Sequence, residues 1–113
     1  MINQPHPDVS DADVARVIRR DYSQAQHEAV SRTLDLISDP RVKLGVLKLA
    51  GGRPEMIADL VQGAIEDYRD IIASAEYPKC MDEGFDLFRR PDDVQKQVID
   101  QDWEQYKRWL DAE

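Results

Sequence analysis

The sequence predicts an all-α fold: a four-helix bundle with a short buried second helix and an irregular segment before the last helix. Three observations carry this. Apolar residues recur three or four positions apart through most of the chain, which is the spacing of one helix face. Pro40, Pro54 and Pro91 each stand where a helix would begin, a position that tolerates proline because its missing N–H has no intrahelical partner. No stretch alternates apolar and polar residues as a half-buried strand would, and no internal repeat or low-complexity segment interrupts the pattern.

Residues 1–9 read as a flexible tail and 10–113 as a single helical domain. Pro5, His6 and Pro7 stand in the tail, and the stretch Met1 to Asp8 lacks the basic start and apolar run of a secretory signal. Ser10 suits an N-cap, with Asp11 and Asp13 where the positive end of the helix dipole favours carboxylates. The first helix is expected to run from there to about Ile37. Val14, Ile18, Tyr22, Ala25, Ala29, Leu34 and Ile37 form its inward stripe.

Asp39 caps the second helix, with Pro40 at its first turn and Gly51 at its C-terminal cap. Val42, Leu44, Val46, Leu47, Leu49 and Ala50 leave it little polar circumference, so it belongs at the centre of the fold. Its charges, Arg41, Lys43 and Lys48, are all basic, and their long stems can carry them to water. Gly45 in mid-helix costs about 1 kcal/mol against alanine, a cost that close approach of another backbone would compensate.

The third helix, Pro54 to about Glu76, carries Ile57, Leu60, Val61, Ala64, Ile65, Tyr68, Ile71, Ile72 and Ala75 on a broad apolar face. Its charges are mostly carboxylates, which makes it the electrostatic complement of the basic second helix. Arg41 or Lys48 is expected to meet carboxylates of the third or the fourth helix, in surface pairs worth about 0–1 kcal/mol each. Tyr77-Pro78 ends this helix, because a residue before proline is pushed out of the helical region. Lys79 to Arg90 reads as irregular, with Phe85, Leu87 and Phe88 pinning it over the end of the bundle. The last helix opens at Pro91 and turns Val94, Val98, Ile99, Trp103, Tyr106, Trp109 and Leu110 inward.

Composition narrows the function classes. The 113-residue chain has a formal net charge of -8, which disfavours phosphate backbones and anionic lipid and favours solubility or a basic partner. No window reaches the roughly 20 apolar residues that span a bilayer. A single cysteine, Cys80, allows no intrachain disulfide, in keeping with a reducing, cytoplasmic compartment.

No catalytic, cofactor-binding or metal-binding residue is assigned. His6 and His27 have no ligand partner at zinc-site spacing, and Asp82, Glu83 and Asp86 around Gly84 lack the alternating oxygen ligands of a calcium loop. Cys80 would need a cation, a helix N-terminus or a histidine to become a nucleophile, and Lys79 stands among opposing carboxylates. The carboxylates of the third helix lie on a solvated face rather than in a cleft, which gives no general acid or base. The Gly-Gly turn between the second and third helices imitates a helix-turn-helix, yet its second helix is acidic where a DNA reader is basic.

The segments Leu49-Ala50-Gly51-Gly52, Asp67-Tyr68-Arg69-Asp70 and Ala75-Glu76-Tyr77-Pro78 together resemble a pattern in small uncharacterised bacterial proteins. That resemblance covers about a third of the chain. It implies a bacterial all-α domain and assigns no activity, ligand or residue role.

The leading functional expectation is a non-enzymatic acidic protein acting by protein contact, as a homodimer or as an adaptor. The interface candidates are Tyr68, Arg69, Tyr77, Trp103, Tyr106 and Trp109, because tyrosine, tryptophan and arginine anchor interfaces. One alternative is a small-molecule sensor or minor enzyme with a pocket under residues 79–90, lined by Tyr77, Cys80, Arg89 and Arg90. A second alternative is weak nucleic-acid binding through Arg16, Arg19, Arg20 and Arg32 of the first helix.

Overall fold

The computed structural model describes residues 6–113, so the first five residues of the expected tail lie outside the described residues. Among the described residues the chain is helical, with six α-helices, two 3-10 turns and no strand. The helices are α1 (Asp11–Asp21), α2 (Gln24–Leu34), α3 (Pro40–Ala50), α4 (Ile57–Glu76), α5 (Pro78–Glu83) and α6 (Asp92–Asp111). The 3-10 turns, Pro54–Met56 and Gly84–Arg89, precede α4 and α6.

The expected first helix is two helices. Ser23 and Gln26 form a capping box that starts α2, the Ser23 N–H donating to Gln26 Oε1 at 3.2 Å. Tyr22, in extended backbone, ends α1 and turns its ring into the core. The His27 ring donates from Nε2 to the Tyr22 carbonyl at 2.8 Å, satisfying an oxygen that the break would otherwise strand. One capping box, Ser23 with Gln26 three residues on, outcompetes a continuous apolar stripe. At the other end of α1, Ser10 and Asp13 form a capping box as well. Val9 just before it packs against the core, so the chain is tied down ahead of the expected boundary.

The helix α3 is the centre of the structure. Val42, Leu44, Val46, Leu47 and Ala50 are buried, and α1 and α4 pack on it. Its punctuation matches the sequence reading: the Arg41 N–H donates to Asp39 Oδ1 at 2.9 Å, and Gly51 adopts φ +59°. Gly45 is compensated as expected, for a Cβ there would sit 3.0 Å from Ile71 Cγ2 and 3.6 Å from the Ile71 carbonyl oxygen. Glycine at this position lets α4 lie directly on α3. Lys43 is buried along its stem, and Nζ emerges to reach Asp35 at 3.2 Å.

The third expected helix begins as a 3-10 turn and is kinked inside α4. Asp67 leaves helical backbone (φ -155°, ψ 95°), and its Oδ1 accepts the Arg69 N–H at 3.1 Å, which is an N-cap for a new helical segment. Ile57, Val61 and Ala64 are buried before the kink, and Ile71, Ile72, Ala75 and Glu76 after it. Tyr68, next in phase after Ala64, falls at the kink and is exposed.

The segment expected to be irregular is α5 followed by the Gly84–Arg89 turn. Of its three expected pins, Leu87 is buried, whereas Phe85 is 84% exposed and Phe88 50%. A 3-10 turn has three residues per turn, so Phe85 and Phe88 share the outer side while Leu87 points inward. In α6 the buried stripe is Gln95, Ile99, Asp102, Tyr106 and Leu110, so both tryptophans stand at its edges, half-buried, rather than at its centre. No helix among the described residues is long and apolar enough to cross a membrane.

Candidate functional site

Two regions hold the side chains with functional potential: a buried polar corner and an exposed apolar groove. The corner is where α4 turns into α5 at Tyr77-Pro78, covered by α6. Arg41 forms a two-pronged ion pair with Glu76, Nε to Oε2 at 2.8 Å and Nη2 to Oε1 at 2.7 Å. Its Nη2 also donates to the Tyr77 hydroxyl at 2.9 Å. The Glu76 side chain is 2% exposed, so this is an interior pair rather than the surface pair expected from the sequence. The bond from Glu76 holds the Arg41 guanidinium above its ordinary pKa, against the opposing effect of burial.

Asp102, fully buried on α6, supplies the cap that α5 lacks in its own sequence. Its two carboxylate oxygens accept the Lys79 and Cys80 N–H groups, each at 3.0 Å. One turn on, Gln105 Nε2 donates to the Ala75 carbonyl at 3.3 Å and the Glu76 carbonyl at 3.4 Å, at the end of α4. A single face of α6 thus satisfies the orphan carbonyls of one helix and the orphan amides of the next. Burial comes first in raising the Tyr77 phenol to about 12, with the Glu76 carboxylate adding to it. Burial raises the Tyr106 phenol too, and its hydroxyl has no hydrogen-bond partner among the described residues. Lys48, half-buried, is lowered by desolvation, while the Asp102 charge works the other way.

The groove lies between the α2–α3 connection and α4. Leu36, Ile37, Val42, Ala64, Ile65 and Tyr68 line it, Asp39 stands on its wall, and its open volume is about 380 Å³. Leu36 is 69% exposed, Ile65 55% and Tyr68 54%. Asp39 is the one carboxylate among the residues that line it; its side chain accepts the Arg41 N–H, and its charge acts on the Arg41 guanidinium.

The six interface candidates separate between these regions. Tyr68 lines the groove. Arg69 is exposed beside it and folds back on Asp67, Nε to Oδ1 at 3.0 Å, which holds the Asp67 carboxyl below the usual range. Tyr77 and Tyr106 belong to the interior corner. Trp103 stacks near Tyr106 with ring centroids 6.5 Å apart, and Trp109 lies 5.6 Å from the same ring on the other side. Trp109 also lies under Arg20, whose carbon Cζ is 5.3 Å from its ring centroid. The residues that sequence reasoning missed are Glu76, Asp102, Leu36, Ile65, Phe85 and Phe88. Asp102 was legible in one respect, since it occupies the buried phase between Ile99 and Tyr106.

The polar lining proposed for a pocket under residues 79–90 does not converge. Tyr77 is bonded to Arg41, Arg90 pairs with Glu83 at 3.1 Å, and Arg89 pairs with Asp86 at 3.4 Å. An open groove of about 700 Å³ runs instead along the polar outer face of α6 beside Lys79. The four arginines of the nucleic-acid alternative are also dispersed. Arg20 donates into the C-terminal end of α6, Arg32 lies on α2 paired with Glu28, and Arg16 pairs with Asp13 at 3.6 Å. Among the described residues no three His, Cys, Asp or Glu side chains converge as metal ligands. Compared with protein-family models, curated proteins and solved structures, the chain matches none.

Proposed function

We propose that this protein acts by protein contact, with the groove between the α2–α3 connection and α4 as its docking face. The observation that carries the reading is the convergence of Leu36, Ile65 and Tyr68 on one groove, each more than half exposed. Exposed apolar side chains scattered singly are ordinary, whereas a contiguous set rimmed by charge marks an interaction surface. The floor asks for apolar side chains. The carboxylate Asp39 on its wall and the acidic charge of the chain as a whole favour cations beside it, so the partner is an apolar segment flanked by basic residues.

The test uses a synthetic amphipathic peptide with leucines four residues apart and lysines on its flanks, titrated against the full chain by fluorescence anisotropy. Binding in the micromolar range, weakened at least about tenfold by Ile65→Asp, supports the reading. Equal binding by I65D, or none up to about 1 mM, overturns it.

A further inference from the structure

The break in α4 is what puts Tyr68 on the groove. Before the break Ile57, Val61 and Ala64 are buried, and after it Ile71, Ile72 and Ala75 are, all in one helical phase. Tyr68 stands four residues after Ala64 and four before Ile72, in the middle of that stripe, and is nevertheless 54% exposed. A continuous helix over 57–76 would turn its ring toward the core, whereas the broken one leaves it lining the groove.

The cause of the break is local. Helices bend sharply at proline, at glycine or serine, or where a side chain intrudes on the backbone ladder, and residues 64–70 contain no proline, glycine or serine. Asp67 is the one residue of α4 out of helical backbone, while Gly63, a turn earlier, keeps it. The intruding group is the Asp67 carboxylate. Its Oδ1 accepts the Arg69 N–H at 3.1 Å, an amide that a continuous helix would direct to the Ile65 carbonyl. Arg69 then clamps the carboxylate there, donating from Nε to Oδ1 at 3.0 Å and from Nη2 to Oδ2 at 3.3 Å.

We propose that Asp67 is the positioning residue of the docking face: its carboxylate, clamped by Arg69, breaks α4 and so holds Tyr68 on the wall of the groove. This rests on the reading of the groove as a docking face. With the cap removed, residues 66–69 close into helix, the Tyr68 ring turns onto the buried stripe between Ala64 and Ile72, and the groove loses a wall. Arg69 acts through Asp67 rather than by touching the partner.

Variants of the full chain separate the cap from the charge. Asp67→Ala removes both, whereas Asp67→Asn and Asp67→Ser remove the charge and keep an oxygen that can cap. Nitration by tetranitromethane, read by peptide mapping, reports whether the Tyr68 ring is in water, since Tyr22 and Tyr106 are buried and the Tyr77 hydroxyl is tied to Arg41. Cα chemical shifts report whether residues 66–68 are helical. In D67A the shifts are expected to become helical. The fraction of chains with Tyr68 outward governs nitration and affinity for the leucine-lysine peptide alike, so both should fall by a similar factor, about tenfold. D67N and D67S should stay near wild type, and Arg69→Ala, which loosens the clamp, should move both readouts the same way by a smaller factor.

Nitration as fast in D67A as in wild type overturns the proposal. Equal slowing in D67A, D67N and D67S overturns it too, because the effect then belongs to charge and not to the cap. Slowed nitration in D67A, with no peptide bound by wild type up to about 1 mM, supports the positioning and overturns the docking reading. Peptide binding equal in wild type and D67A, with nitration unchanged, overturns the positioning and leaves the docking reading standing.

Discussion

The corner between α4, α5 and α6 and the groove beside Leu36 invert the usual distribution of residues. In the corner, Glu76 and Asp102 are buried carboxylates, each with its oxygens matched to donors from another element. Around the groove, large apolar side chains stand in water with nothing among the described residues to cover them. Burying charge costs stability unless every partner is in place, and exposing apolar surface forgoes stability that burial would supply. The two buried carboxylates have their partners, so they help to specify the fold. The apolar side chains of the groove lack a cover among the described residues, which is why the functional reading rests there.

The largest break in this comparison is expected from Glu76→Ala. Arg41 would remain partly buried without its carboxylate, a situation that costs about 3–5 kcal/mol for interior pairs. Because the Arg41 side chain is 23% exposed, the lower end applies, about 3 kcal/mol, with a melting temperature lower by roughly 10 °C. Replacing both partners with apolar residues should recover much of the loss, which separates an unpaired charge from simple loss of packing.

Asp102→Ala is next, at about 1–3 kcal/mol, since it leaves the Lys79 and Cys80 amides without their acceptor. Hydrogen exchange should show faster opening of α5 amides than of α3 amides. Equal acceleration throughout the chain would mean that Asp102 holds the whole fold rather than the corner.

A smaller, pH-dependent effect follows from Tyr77, whose phenol is pushed up to about 12 from its ordinary value near 10. The folded state holds this proton more tightly than the unfolded state. The stability linked to it is complete below pH 10 and is lost as pH rises toward 12. Melting temperature is therefore expected to fall across that window, and Tyr77→Phe should flatten the fall. At the small end, the groove variant Ile65→Asp should stay within about 0.5 kcal/mol of wild type, because exposed positions contribute little to the fold.

What the sequence revealed and what it hid divide along the same line. The start and stop of α3, the close approach at Gly45 and a salt link from a basic residue of α3, Arg41 or Lys48, to carboxylates of the third or the fourth expected helix were legible, because caps, glycine and charge are local signals. The split at Tyr22 was legible too in the spacing of Ser23 and Gln26, although the apolar stripe running through it masked the signal. The kink at Asp67 was not, for an aspartate in a helical pattern reads as a solvated face until its side chain is seen to cap the Arg69 amide. The outward turn of Phe85 and Phe88 depended on a 3-10 period of three, which a short segment without repeats does not display. The burial of Asp102 depended on the end of α5, far from it in sequence.

Arg20 joins the beginning of the chain to its end. Its guanidinium donates to the Trp109 carbonyl at 2.7 Å and the Ala112 carbonyl at 2.9 Å, across sequence separations of 89 and 92 residues. The α3–α4 pair, joined by a Gly-Gly turn, encloses a far shorter loop and can close early, whereas the Arg20 clasp has to wait for almost the whole chain to be in place. A contact made after the rate-limiting step does not hasten folding and instead slows escape from the native state. Arg20 is thus expected to act as a latch in time as well as in space, helping to hold the last helix in place alongside Asp102 and Gln105, and Arg20→Ala should speed unfolding more than it slows folding.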